Sequence, residues 1–201
     1  HPLRQSSAAS DVYTRQILFN INIALSRFID LFMRIYFILS SLLIWSNVYS
    51  QTKIDWIELD NNTEINNNGK KIIIDLYTDW CGWCKVMDRN TFTDTQVIEY
   101  INNYFLPVKF DAEYNDNVIF NNNSYKFINS GRKGINELAY ALTNGNLSYP
   151  MTVFLDENYQ LITLLPGYHK PNFYNKVLKY IGEDHWKDKT WDEYLNQSIK
   201  K

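Results

Sequence analysis

Lys71-Ile72-Ile73-Ile74-Asp75-Leu76-Tyr77-Thr78-Asp79-Trp80-Cys81-Gly82-Trp83-Cys84 is the stretch that decides how this chain reads. Its first seven residues form a mostly apolar run of strand length, consistent with a buried strand. Cys81 comes after three further residues, and Cys81 and Cys84 are the only cysteines in the sequence. A strand that delivers a Cys-x-x-Cys pair to the start of a helix is a dithiol redox site, because backbone N–H groups and the helix dipole stabilise a thiolate there. The spacing argues against a structural staple, since a bridge closing so short a loop restricts the unfolded chain little. Cys81 is expected to be the exposed, attacking sulfur and Cys84 the sulfur that resolves the mixed disulfide. A structural zinc site needs about four ligands, which two cysteines and the scattered His169 and His185 do not supply, so neither metal nor cofactor is expected.

Outward from this stretch, strands and helices alternate. Ile54 to Leu59 reads as a first strand or short lead-in, and Asn61 to Gly69 as a polar turn. The helix entered at Cys84 is expected to break near Asp88 to Thr91, with Thr93 or Asp94 capping a second segment through Tyr100. Leu106 to Asp111 is the next strand, and the strand-helix-strand order implies a parallel pair. In the long stretch from Ala112 to Ser148, Val118-Ile119-Phe120 and Tyr125 to Ile128 flank Asn121 to Ser124 as a hairpin, and Ile135 to Leu142 has helical periodicity ending at Asn144-Gly145. Met151 to Leu155 and Gln160 to Leu165 form an antiparallel pair joined by a four-residue turn. Phe173 to Ile181 and Trp191 to Ile199 are the last helices.

The first fifty residues stand apart. Met33-Arg34 followed by Ile35 to Trp45 has the basic start and apolar length of a secretory signal, with Val48 and Ser50 suited to a cleavage site, so residues 33–50 are expected to be a signal peptide. A membrane anchor needs roughly 20 apolar residues, and this run meets Arg34 and Asp30 on one side and Asn47 and Gln51 on the other. Residues 1–32 lack an initiating Met and precede a good start at Met33. They are read as a non-native or disordered extension, leaving 51–201 as the domain. Removing Arg4, Arg15, Arg27, Arg34, Asp11 and Asp30 from whole-chain totals of 20 basic and 22 acidic residues leaves 16 and 20, a formal charge of −4. That balance argues against nucleic acid as a partner. A lone redox pair after a signal points to a periplasmic or secreted location.

With these elements in order, the chain resembles the thioredoxin superfamily over most of Lys70 to Ile181. The residues that carry the resemblance are Ile74 to Cys84, Val108-Lys109-Phe110-Asp111 and Tyr149-Pro150-Met151-Thr152. Cys84-Lys85-Val86-Met87 with Thr91-Phe92 and Val97 looks most like secreted bacterial thioredoxin-like proteins related to the C-terminal domain of the DsbD electron conductor, as do Leu165 to Tyr168 and Gly182 to His185. The resemblance implies an α/β thioredoxin-like fold, with a central mixed sheet flanked by helices and an insertion before the cis-proline. It implies a thiol-disulfide oxidoreductase acting on protein disulfides, with a membrane electron donor of DsbD type as a further partner. Gly82-Trp83 between the cysteines departs from the Gly-Pro of cytoplasmic thioredoxins and from the Pro-His or Gly-His of oxidising relatives, so the direction of electron flow stays open.

The same resemblance assigns further residues. Asp75 matches a buried carboxylate that takes the Cys84 proton, and Lys109 the lysine beside it; the alternative is a strand-end Asp and a solvated Lys. Pro150 matches the cis-proline, preceded by Tyr149, beside which a substrate pairs as an added strand; the alternative is a trans turn. Trp80, Trp83 and Gly167 are candidates for the rim of the same groove, or for packing and turn residues. The insertion is read as an inert elaboration, with a partner surface as the alternative.

Overall fold

The structure, a computed structural model, describes residues 15, 25–36, 53–129 and 134–198. The chain divides into two compact units, residues 1–50 and 51–201. In the first, residues 25–36 are helical and carry exposed Leu25, Phe28, Ile29, Phe32, Met33 and Tyr36 at helical spacing. The expected signal peptide lies outside the described residues beyond Tyr36, as does nearly all of the expected extension before residue 25. No helix among the described residues is long and apolar enough to cross a membrane.

The second unit is built on a five-stranded sheet. Its strands are β1 (Ile57–Glu58), β2 (Lys71–Tyr77), β3 (Phe105–Asp111), β8 (Met151–Leu155) and β9 (Leu161–Pro166), in the order β1-β3-β2-β8-β9. β2 and β1 pair with β3 in parallel, whereas β8 is antiparallel to both β2 and β9, so the sheet is mixed. The first strand is shorter than its alternation suggests. Ile54 and Leu59 flank it and are buried in the two different core clusters, and Leu59 N–H still donates to Lys109 O at 3.0 Å.

Period-two alternation divides β2 between those faces. Ile72, Ile74 and Leu76 enter one cluster and Ile73 the other, which puts Asp75 on the same face as Ile73. That face is covered by α1 (Gly82–Asn90), α2 (Thr95–Tyr104) and α4 (Pro171–Gly182), through Met87, Val97, Ile98, Ile101, Tyr174, Val177, Leu178 and Ile181. The expected break falls at Thr91, where the N–H groups of Thr91 and Phe92 both donate to the Met87 carbonyl. Asp94 caps α2, its Oδ1 accepting from Gln96 N at 3.0 Å and Val97 N at 3.2 Å. Two short C-terminal helices follow, α5 (His185–Asp188), which the sequence reading did not anticipate, and α6 (Trp191–Ser198).

The insertion covers the other face. Val118, Phe120, Leu138, Ala139 and Leu142 join the cluster of Ile72, Ile74, Val108 and Val153, so the segment supplies a layer of the core. Its hairpin is tighter than the expected four-residue loop: β4 (Val118–Phe120) pairs with β5 (Asn123–Tyr125) across Asn121-Asn122 alone. Both turn residues have φ in the left-handed region, 48° and 59°, which asparagine tolerates and a two-residue hairpin turn requires. β6 (Phe127–Ile128) pairs with β7 (Ile135–Asn136), and α3 (Glu137–Leu142) starts two residues later than its periodicity suggests. The cause is Asn136, fully buried: Oδ1 caps Leu138 N at 3.0 Å, and Nδ2 donates to the carbonyls of Asp116 (3.0 Å) and Tyr114 (3.3 Å).

Candidate functional site

The carboxyl end of β2 passes through the turn Thr78 to Cys81, closed by Cys81 N–H donating to Thr78 O at 3.0 Å, and enters α1 with Cys81 as its N-cap. Cys81 and Cys84 are joined as a disulfide, and Cys81 Sγ accepts the backbone N–H of Cys84 at 3.0 Å. The first turn of α1 carries no acidic residue, so nothing there opposes the positive end of the helix dipole at this sulfur. The expectation that Cys81 stays exposed is corrected for this bonded state: Cys81 and Cys84 are each only 4% exposed.

Asp75 lies in mid-strand and is 2% exposed, and Lys109 is its register partner on β3, with Nζ 3.2 Å from Asp75 Oδ2. The readings of a strand-end Asp and a solvated Lys therefore do not hold. Burial pushes the Asp75 carboxyl up to about 6, against the lowering effect of Lys109. Lys109 also donates to Asp88 Oδ1 on α1, and its ammonium sits among the rings of Tyr77, Trp56 and Phe92 at 5.3, 5.6 and 5.9 Å. Loss of solvation lowers the proton affinity of Lys109, but its neighbouring carboxylates outweigh that and hold it above the usual lysine range. Glu58 on β1 faces Lys109 in the parallel register, and burial raises its carboxyl.

One row thus crosses the sheet: Glu58, Lys109, Asp75 and then Thr152 on β8. Thr152 Oγ1 lies 3.2 Å from the hydroxyl of Tyr174, which is fully buried on α4. Asp88 follows Cys84 by one helical turn, a spacing that puts the two on one helix face and was available in the sequence. Glu58, Thr152 and Tyr174 carried no such local signal, because strand register alone aligns them.

The Tyr149–Pro150 peptide bond is cis. Beside it a cleft of ≈ 340 Å³ is lined by Trp83, Tyr149, Pro150, Gly167 and Tyr168. Trp83 stacks on Tyr168 with centroids 5.6 Å apart, whereas Trp80 meets Tyr149 edge-on at 6.0 Å and donates from Nε1 to Glu113 Oε1 at 2.9 Å. Gly167 has φ +85°, donates its N–H to Pro150 O at 2.8 Å, and has open space where a Cβ would lie. The structure therefore brings Trp83, Tyr149, Pro150 and Gly167 together around one cleft and sets Trp80 against its Tyr149 side. Tyr168 is the member that sequence reasoning passed over.

A mixed sheet that leads from its second strand into a helix capped by Cys-x-x-Cys, with a cis X-Pro bond opening a later strand, defines a thioredoxin-fold dithiol protein. Residues 60–182, more than half of the chain, match the family described as Thioredoxin-like domain, and the chain belongs to it. It is 47% identical over 38 residues to the thiol:disulfide interchange protein DsbD of Pseudoalteromonas atlantica, a match covering 19% of this chain and 6% of that protein. To DsbD of Campylobacter jejuni it is 41% identical over 54 residues, covering 27% and 9%. The chain thus matches less than a tenth of the length of these curated relatives. A solved thioredoxin-fold protein from Helicobacter pylori superposes with a TM-score of 0.52 at 21% identity, covering 77% of this chain and 92% of that one, which reflects the shared fold.

Proposed function

We infer that this protein is a thiol-disulfide oxidoreductase that reduces disulfides of proteins outside the cytoplasm. The observation that carries the reading is the Cys81–Cys84 disulfide at the N-terminus of α1, on the same turn as a Trp83 that lines an apolar cleft. In the dithiol state, the Cys81 thiolate attacks a substrate disulfide and expels one substrate thiolate. The Cys84 thiolate then attacks Cys81 Sγ, expels the second, and leaves the bonded pair seen here, two electrons having passed to the substrate. Asp75 is the acceptor for the Cys84 proton, and a carboxyl near 6 has the proton affinity for that task at neutral pH. Lys109 holds Asp75 in place, and the substrate chain lies along Tyr149-Pro150 with Trp80, Trp83 and Gly167 at the rim.

Reduction of the bonded pair needs a dithiol donor, and a membrane conductor of DsbD type fits the similarity to DsbD. The reading of residues 33–50 as a cleaved signal fits the same location. Amino-terminal sequencing of the protein recovered from the periplasm or medium, beginning at Gln51, tests it. Insulin reduction with dithiothreitol tests the activity: the parent accelerates precipitation over a Cys81→Ser variant, and equal rates would remove the reductase reading. A second reading is oxidase or isomerase, because Gly82-Trp83 departs from Gly-Pro as well as from the Pro-His or Gly-His of oxidising relatives and so sets no direction of electron flow. The reduction potential separates the two, near about −270 mV for a reductase and near about −120 mV for an oxidant. A binding module without turnover would hold a partner with both cysteines replaced and show no exchange.

A further inference from the structure

Asp75 is buried, so a proton it takes from Cys84 has to leave. Within the cluster, side-chain exposure rises from 3% at Asp75 to 14% at Lys109 to 41% at Asp88. The ammonium is in contact with both carboxylates, 3.2 Å from Asp75 Oδ2 and hydrogen-bonded to Asp88 Oδ1, and aromatic rings of Trp56, Tyr77 and Phe92 surround it. Of the other groups facing Asp75, Thr152 and Tyr174 are buried, and Glu58, although exposed, stands on the far side of Lys109 in the sheet register; Asp88 is the partly exposed carboxylate that the ammonium is hydrogen-bonded to. Asp88 is thus the solvent-side end of a short chain of hydrogen-bonding groups whose other end is the buried carboxylate.

We propose that Lys109 and Asp88 form the proton exit of this site, with Asp88 as its positioning residue at the solvent. The inference rests on the reading of Asp75 as proton acceptor for Cys84. As resolution proceeds, the Cys84 S–H bond breaks and its proton passes to the Asp75 carboxylate. The protonated Asp75 then gives a proton to Lys109 while the ammonium gives one of its own to Asp88, and Asp88 releases it to water. Lysine stays charged, Asp75 returns to carboxylate, and one proton reaches solution per disulfide closed. Asp88 stands one turn beyond Cys84 on the same helix, so the exit is built into the element that carries the thiols.

The experiment uses the reduced full chain and an aromatic disulfide whose released thiolate is coloured and stays ionised at neutral pH. Its two thiolate releases report attack by Cys81 and resolution by Cys84, and a pH-indicator dye in weakly buffered solution reports the proton. In the parent, the proton appears together with the second thiolate. In Asp88→Asn it lags behind that release, by up to about 100-fold if the full acid-base assistance is lost, and Asp88→Glu restores it. A general loosening of the fold would slow both signals together and leave no lag. Proton release that keeps step with resolution in Asp88→Asn overturns the exit, whatever happens to the resolution rate. If Asp75→Asn resolves as fast as the parent, the general-base reading falls and the exit with it. If Asp75→Asn is slow while Asp88→Asn shows no lag, the exit alone falls.

Discussion

The hydroxyl of Thr91, fully buried at the break between α1 and α2, donates to the carbonyl of His169 at 2.6 Å. The helix that carries the cysteines thereby holds the loop that carries Gly167 and Tyr168. Thr91→Val keeps the shape but leaves the carbonyl unpaired, which costs about 1–2 kcal/mol. Urea unfolding is expected to show that loss, with a fall in insulin reduction as Tyr168 loosens. Thr93→Val removes an exposed hydroxyl that donates to Arg89 O at 2.6 Å and serves as the comparison. Equal effects of the two substitutions on activity would sever Thr91 from the cleft.

Asp75 makes a second prediction, opposite in sign to that of an ordinary salt-bridged carboxylate. Its folded value of about 6 exceeds the unfolded value of about 3.9, so the folded state holds more protons between those limits. The contribution of this group to stability is present below about pH 4, falls as pH rises to about 6, and is level above. Asp75→Asn cannot ionise, so the oxidised variant is expected to be more stable than the parent at pH 8 by up to about 2–3 kcal/mol, the gain vanishing towards pH 4. Urea midpoints at pH 4, 6 and 8 measure this, and parallel curves for the two proteins would contradict the buried-charge account.

In the insertion, Asn136 satisfies three backbone groups at once. Asn136→Ala removes the cap of α3 and orphans two carbonyls, at a cost of about 2–4 kcal/mol. Because Leu138, Ala139 and Leu142 belong to the sheet cluster, the loss should appear as lowered stability of the whole domain. Amide exchange that speeds up in α3 alone, with global stability unchanged, would show instead that the insertion unfolds independently.

Trp83 is 61% exposed and stacks on Tyr168, so its replacement should touch recognition more than folding. Trp83→Ala is expected to leave stability within about 0.5 kcal/mol. A fall of about 10-fold in kcat/KM for a peptide disulfide is expected from the lost apolar contact. Attack on a small disulfide too short to reach the cleft should change far less. An equal loss on both would place the role of Trp83 in the reactivity of the cysteines.

Much of the fold is local information. Lys71 to Tyr77 is apolar enough to be recognised as a buried strand, Cys-x-x-Cys follows it at helix-start spacing, and Asp94 and Asn144-Gly145 mark helix ends, because caps, turns and periodicity act over four or five residues. The hairpin loop of the insertion is two residues shorter than its composition suggests, since consecutive left-handed asparagines are allowed locally but chosen by the strands they join. The start of α3 lies beyond local periodicity for a related reason: Asn136 serves carbonyls 20 and 22 residues away.

By itself the sequence determined the dithiol, the order of the central strands and the main helices, and the candidates Asp75, Lys109 and Pro150, because each is signalled by its own neighbours or by resemblance over a short motif. Tertiary structure alone decided that Lys109 stands between Asp75 and Asp88 and opposite Glu58, that Tyr168 stacks on Trp83, and that both sulfurs of the bonded pair are buried. Register between strands far apart in the chain aligns the charged row, and the docking of α1 and the loop after β9 against that sheet brings the remaining groups to it. Such contacts depend on loop closure and packing over the whole domain, and no window of a few residues encodes them.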